Sequence, residues 1–298
     1  MSVNRRGFLA GAAAVAAAGA GKVMAQGSMS KDSMSAPNAL PLRIGMTDWN
    51  LGERGVVEKV ELARQIGLDG IQVSVLYPED GLHLRDPKLQ AVYRKAALDN
   101  GVQICSLAIG NLGPGSPMKS EPVGAIRIND AIEVAANIGT NDILLPFFRE
   151  RAPKDDTDFN RMIAMFKEIA RTAERYGVVV AMETSMSAEE HLRIIDGVGS
   201  EYIGVYMDPW NCSYYGHDPM TDIPLLKDHI HQVHVKNRDQ YMDGPNEQGF
   251  KWPEVAELLY KVGYKGWHVL ETSLPKEDMI GDTRRNIDYV RKTFKLPA

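Results

Sequence analysis

Four residues of the sequence stand at the carboxyl ends of short apolar runs: Glu183, Asp208, His234 and Glu271. Val178-Val179-Val180-Ala181-Met182 leads into Glu183, and Ile203-Gly204-Val205-Tyr206-Met207 leads into Asp208 before breaking at Pro209. Gln232-Val233-His234-Val235-Lys236 puts its valines on one face and its histidine and lysine on the other, and Trp267-His268-Val269-Leu270 ends at Glu271. The spacings of 25, 26 and 37 residues each leave room for one helix and a loop. Three carboxylates and one imidazole, with no thiol among them, suit a single hard or borderline divalent ion; Mn²⁺ and Mg²⁺ fit best, then Co²⁺ or Zn²⁺. Four protein ligands leave two positions of a six-coordinate ion for substrate oxygens, an arrangement that polarises a hydroxyl–carbonyl unit.

Each of these residues also has a duller role open to it. Asp208 before Pro209 can turn the chain, the glutamates can cap helices, and a lone histidine is often a hydrogen-bonded core residue. The reading rests on the set, because all four sit at matching ends of four successive runs. Lys236 can stabilise a developing enediolate oxygen, or be a surface lysine. Trp49 can stack on the apolar face of a sugar, or pack at the rim. His229, His231 and His268 lie on the valine face or in the opposite phase and are set aside.

Elements must exist to carry these residues. Strand-like segments are expected at 43–47, 70–74, 103–108, 142–146, 178–183, 203–208, 232–236 and 267–271. Helical patterns are clearest at 56–66, 88–100, 123–138, 158–176, 252–262 and 284–294. Strands separated by helices argue for parallel pairing, and eight such units in about 258 residues is the count of a closed (β/α)₈ TIM barrel. Gly67-Leu68-Asp69-Gly70-Ile71 and Gly263-Tyr264-Lys265-Gly266-Trp267 repeat one device: a glycine where a helix stops and another where a strand begins. An open doubly wound sheet is disfavoured, since no Gly-x-Gly-x-x-Gly or Walker loop follows any strand.

Glu183, Asp208-Pro209-Trp210-Asn211, His234-Val235-Lys236 and Gly263-Tyr264-x-Gly266 with Leu270-Glu271 together resemble the sugar phosphate isomerase/epimerase family. The resemblance spans roughly residues 42–292 and implies a xylose isomerase-like barrel. It also implies that Glu183, Asp208, His234 and Glu271 hold one metal, usually manganese. Glu183 and Glu271 would then exchange protons with a sugar carbon from opposite faces. Relatives often carry His at the place of Asn211, where it contacts a substrate oxygen; Asn can hydrogen-bond there but cannot share a proton. Some relatives end the second strand in Glu, where this chain has Gln72.

The N-terminus follows different rules. Arg5-Arg6 precedes an Ala/Gly-rich apolar run and a small-residue site at Val23-Met24-Ala25, so residues 1–25 read as a twin-arginine signal peptide. Export by the twin-arginine machinery, to the periplasm or beyond, is the expectation; the run is too short to span ~30 Å of hydrocarbon as a stable membrane anchor. Residues 26–40, rich in Ser, Met, Gly and Pro, read as a flexible linker, with the barrel over 41–298. Loss of Arg5, Arg6 and Lys22 takes the net charge from −5 to about −8. An acidic surface disfavours a nucleic-acid partner. Cys105 and Cys212 make neither a disulfide framework nor a zinc-finger spacing.

The expected activity is isomerisation or epimerisation of a small carbohydrate, by proton abstraction beside a polarised oxygen. A lyase or dehydratase acting on keto-sugars or keto-glycosides shares that first step. An exported carbohydrate-binding protein without catalysis is the reading from another class. Apurinic endonucleases, with three zinc ions and many rim histidines, match these seven scattered histidines poorly.

Overall fold

The computed structural model describes residues 42–76, 82–110, 122–273 and 278–294. The signal-peptide and linker expectations fall on residues outside these.

The eight expected strands form, in chain order, as β1 (Arg43–Thr47), β2 (Gly70–Val75), β3 (Gln103–Ile109), β4 (Asp142–Phe147), β5 (Val179–Thr184), β6 (Ile203–Met207), β7 (Ile230–Val235) and β8 (Trp267–Leu270). All neighbours pair in parallel, and β1 pairs β8, closing the barrel. Around it run α1 (Glu58–Ile66), α2 (Pro87–Asn100), α3 (Pro122–Ile138), α4 (Asp156–Tyr176), α5 (Ala188–Val198), α6 (Pro209–Tyr214), α7 (Pro219–Leu226), α8 (Trp252–Lys261) and α9 (Met279–Thr293).

Strand alternation splits the core in two. The larger layer lies between strands and helices and takes Val180 and Met182 of β5, Val205 and Met207 of β6, and Val233 and Val235 of β7. The barrel interior takes the opposite phase: Val179 and Ala181, Tyr206, Trp267 and Val269. Glu183, Asp208, His234 and Glu271 continue that interior phase upward, which is why all four reach the carboxyl rim. Trp267 fills the floor of the barrel, with the Arg43 guanidinium 4.7 Å above its ring.

The repeated glycine device has a geometric cause. Gly67 and Gly263 adopt φ of +98° and +78°, the left-handed turn that ends a helix. Gly70 is a close approach instead: a Cβ there would lie 2.7 Å from the Trp267 ring and 3.1 Å from the Gln103 carbonyl. Among the described residues, no helix is long and apolar enough to cross a membrane.

Candidate metal and substrate site

Asp208 illustrates how the local sequence builds the site. Pro209 starts α6, and Asp208 Oδ1 caps that helix by accepting from the Asn211 backbone N–H at 2.9 Å. The cap uses one oxygen and leaves the other facing the barrel mouth. Oδ2 is buried inside the barrel mouth, 3.7 Å from His234 Nδ1 and 2.7 Å from Lys236 Nζ. The Lys236 ammonium is thus the charged partner of Oδ2.

His234 sits at the centre, fully buried. Its Nδ1 lies 3.2 Å from Glu183 Oε1 and 3.4 Å from Glu271 Oε2, while its Nε2 meets Gln72 Oε1 at 3.0 Å. Burial works against a charged ring, but Glu271 and Glu183 outweigh it and hold the imidazole above its ordinary range. Burial also pushes the Asp208 carboxyl up, opposed mainly by Lys236. One ligand atom from each of Glu183, Asp208, His234 and Glu271 falls within 4.8 Å of the others. Three buried or half-buried carboxylates and an imidazole converging on one point form an oxygen-rich donor set that fits a divalent cation, whose two charges, with the Lys236 ammonium, would offset the three carboxylates.

The remaining expected residues gather at the same mouth. Lys236 bridges two of the clustered carboxylates, with Nζ 2.7 Å from both Asp208 Oδ2 and Glu271 Oε2. Burial favours its neutral form, yet Asp208, Glu271 and Glu183 keep it charged far above neutrality. Asn211 Nδ2 donates to Glu183 Oε1 at 2.8 Å, and Trp49 Nε1 donates to Glu271 Oε1 at 3.2 Å. Asn211 and Trp49 thus each orient one of the two glutamates besides lining the cleft. Trp49 is itself placed by Asp48, whose carboxylate accepts from the Gly55 and Ser74 N–H groups, both at 2.8 Å. Two of the set-aside histidines stay outside: His268 packs against Phe294 behind β8, and His231 stands 4.0 Å from Asp142.

Above these groups opens a cleft of about 310 Å³ whose walls include Trp210, Tyr214, Tyr215, Arg149 and Arg238. Trp210 and Tyr214 stack at 5.2 Å; Arg238 lies 5.4 Å over Trp210, and Arg149 donates to the Tyr214 hydroxyl at 2.9 Å. Both arginines take a left-handed backbone, φ 54°. Neither makes a salt bridge with another described residue, so an acidic floor carries a basic edge. Sequence reasoning missed this pair, because exposed arginines in loops carry no periodic signal. It also missed the hydroxyl of Tyr206, which reads as one more apolar strand residue.

The family model described as xylose isomerase-like TIM barrel matches residues 60–293. The 2-epi-5-epi-valiolone 7-phosphate 2-epimerase of Actinoplanes sp. is 29% identical over 212 residues, 70% of this chain and 74% of that one. The L-ribulose-5-phosphate 3-epimerase of Escherichia coli K12 is 24% identical over 255 residues, 79% of this chain and 88% of that one. A crystal structure of D-psicose 3-epimerase in the presence of D-fructose superposes with a TM-score of 0.71 at 16% identity, covering 85% of this chain and 99% of that one.

Proposed function

The chain belongs to the xylose isomerase-like TIM barrel family, and from that premise we propose that it is a divalent-metal-dependent epimerase or isomerase of a sugar or polyol. The observation that carries this reading is the convergence of Glu183, Asp208, His234 and Glu271 on one point at the barrel mouth. An ion held there, Mn²⁺ foremost, would supply Lewis acidity to substrate oxygens. The chain's own groups do the rest. One of Glu183 and Glu271 takes the proton from the carbon beside the carbonyl, and the other returns a proton to the opposite face. Asn211 and Trp49 hold the two carboxylates in position, and Lys236 keeps its ammonium protons beside Glu271, where an enediolate oxygen would develop. Trp49 and Trp210 offer flat apolar walls to a sugar ring. Arg149 and Arg238 suit an anionic substituent, such as the phosphate in the names of the Actinoplanes and E. coli relatives' substrates.

The test is incubation of the Mn²⁺-loaded protein in D₂O with a panel of ketoses, keto-glycosides and ketose phosphates. The expected product is an isomer of the substrate carrying one deuterium at the inverted or isomerised carbon. Loss of water or aglycone would replace this reading with a lyase, and absence of any exchange would leave a binding protein.

We also propose that residues 1–25 direct export by the twin-arginine route. The paired Arg5-Arg6 ahead of a weakly apolar Ala/Gly run supports it.

A further inference from the structure

Under the site runs a line of fully buried polar side chains that the proposed chemistry does not use. Gln232 Nε2 donates to the Cys105 backbone carbonyl at 2.6 Å. The Tyr206 hydroxyl donates to Gln232 Oε1 at 3.0 Å, and Gln72 Nε2 donates to that hydroxyl at 3.1 Å and to Ser106 Oγ at 2.8 Å. Gln72 Oε1 then meets His234 Nε2 at 3.0 Å. Gln72, Ser106, Gln232 and His234 are each 0% exposed and Tyr206 is 1% exposed, so water cannot substitute for any member.

The directions along this line are forced. A backbone carbonyl only accepts, so Gln232 must present its NH₂ to Cys105 and its oxygen to Tyr206. An amide oxygen only accepts, so the tyrosine hydroxyl must donate to it, which leaves the phenolic oxygen to accept from the other side. Gln72 must then turn its NH₂ toward Tyr206 and its oxygen toward His234. That oxygen in turn requires a proton on His234 Nε2. Nδ1, the nitrogen facing Glu183, Asp208 and Glu271, is the one left to give up its proton and offer a lone pair. Turning Gln72 over would place its NH₂ against Nε2 and favour the opposite tautomer, with a proton where the ligand lone pair is needed.

We propose that Gln72, Tyr206 and Gln232 are positioning residues forming a hydrogen-bond relay that carries the polarity of the Cys105 carbonyl to His234 and fixes Nδ1 as the metal-binding nitrogen. The inference rests on the metal reading above. Groups behind a ligating histidine commonly set metal affinity by 10–100-fold, and here the control reaches three side chains deep. It also explains an amide at position 72: Gln72 can serve only because Tyr206 stops it from turning over. A carboxylate at 72 would have acceptors on both oxygens and would need no such guard.

The experiment is a four-protein cycle on the purified chain: wild type, Tyr206→Phe, Gln72→Glu and the double variant. The readouts are the Mn²⁺ dissociation constant and the melting temperature without metal. Tyr206→Phe should weaken Mn²⁺ binding by ~10-fold or more. Gln72→Glu should stay within a few-fold of wild type, and adding Tyr206→Phe to it should change Mn²⁺ affinity no further. A hydroxyl that merely supports the fold would cost the same in both backgrounds. Equal losses in the two backgrounds, or a Tyr206→Phe protein with native affinity, would overturn the relay. A wild type that takes up no Mn²⁺ would overturn the metal reading itself and the relay with it, a result distinct from either of those.

Discussion

Asp208 carries two tasks on two oxygens: Oδ1 holds the first turn of α6, and Oδ2 faces the ligand cluster. The Asp-Pro pair in the sequence pointed equally to a turn and to a ligand; the structure shows the turn on Oδ1 and leaves Oδ2 in the cluster for the proposed ion. His234→Ala should remove most of the bound metal yet leave the barrel folded, because the imidazole is a central ligand while barrel packing is spread over many side chains. Asp208→Ala should lose metal too, and in addition fray α6. Metal analysis alongside circular dichroism checks both; full metal content in either variant would break the constellation. At this scale the convergence of Glu183, Asp208, His234 and Glu271 was legible because strand phase is legible: residues two apart share a face, and the valines mark the other. The roles of Asn211 and Trp49 were only half legible. Their presence at the rim followed from strand ends, but their grip on Glu183 and Glu271 depends on side-chain rotations that no spacing encodes.

Among the elements, all eight strands fell where alternation and β-branched runs placed them, with ends shifted by a residue or two. Asp208, Lys236 and Glu271 lie just past β6, β7 and β8, since pairing stops before the side chains that must reach the site. The short helices α5, α6 and α7 were not read. The signal for α5 was available in Ser187 and Glu190, which form a capping box, whereas α6 and α7 each begin at an Asp-Pro pair that reads first as a break. Gly70 belongs to this scale. Gly70→Ala should destabilise the protein by about 1–3 kcal/mol, because its methyl would press on the Trp267 ring and the Gln103 carbonyl. Chemical denaturation with an unchanged midpoint would contradict that packing. His191, on the buried face of α5 between Thr184 Oγ1 and the Ser187 carbonyl, is pushed down by burial to about 4 from an ordinary 6.5. The folded state therefore refuses a proton that the unfolded chain accepts, so its stability contribution is whole above about pH 6.5 and drains away as the pH falls toward 4. His191→Gln should make stability fall less steeply between those limits than in the wild type, as followed by denaturation at stepped pH. Parallel curves would show that the ring does not titrate as its burial demands.

The whole molecule is an acidic chain whose barrel directs one positive edge, Arg149 and Arg238, at the mouth of its site. Fold class was readable from the strand–helix count alone, but the electrostatic character of the mouth was not, because loops on different strands meet there. Export belongs to this scale as well. Arg5→Lys together with Arg6→Lys should strand the precursor inside the cell, and cell fractionation finding normal export would remove the twin-arginine assignment. The central claim is that two carboxylates at one metal centre exchange protons with a substrate carbon. Its most direct test is deuterium exchange from D₂O into the best substrate of the panel by Glu183→Gln and Glu271→Gln proteins, with metal occupancy measured and restored to the wild-type level. The account predicts that each variant loses at least ~10²-fold in exchange or turnover. Native exchange by either fully metal-loaded variant would contradict it.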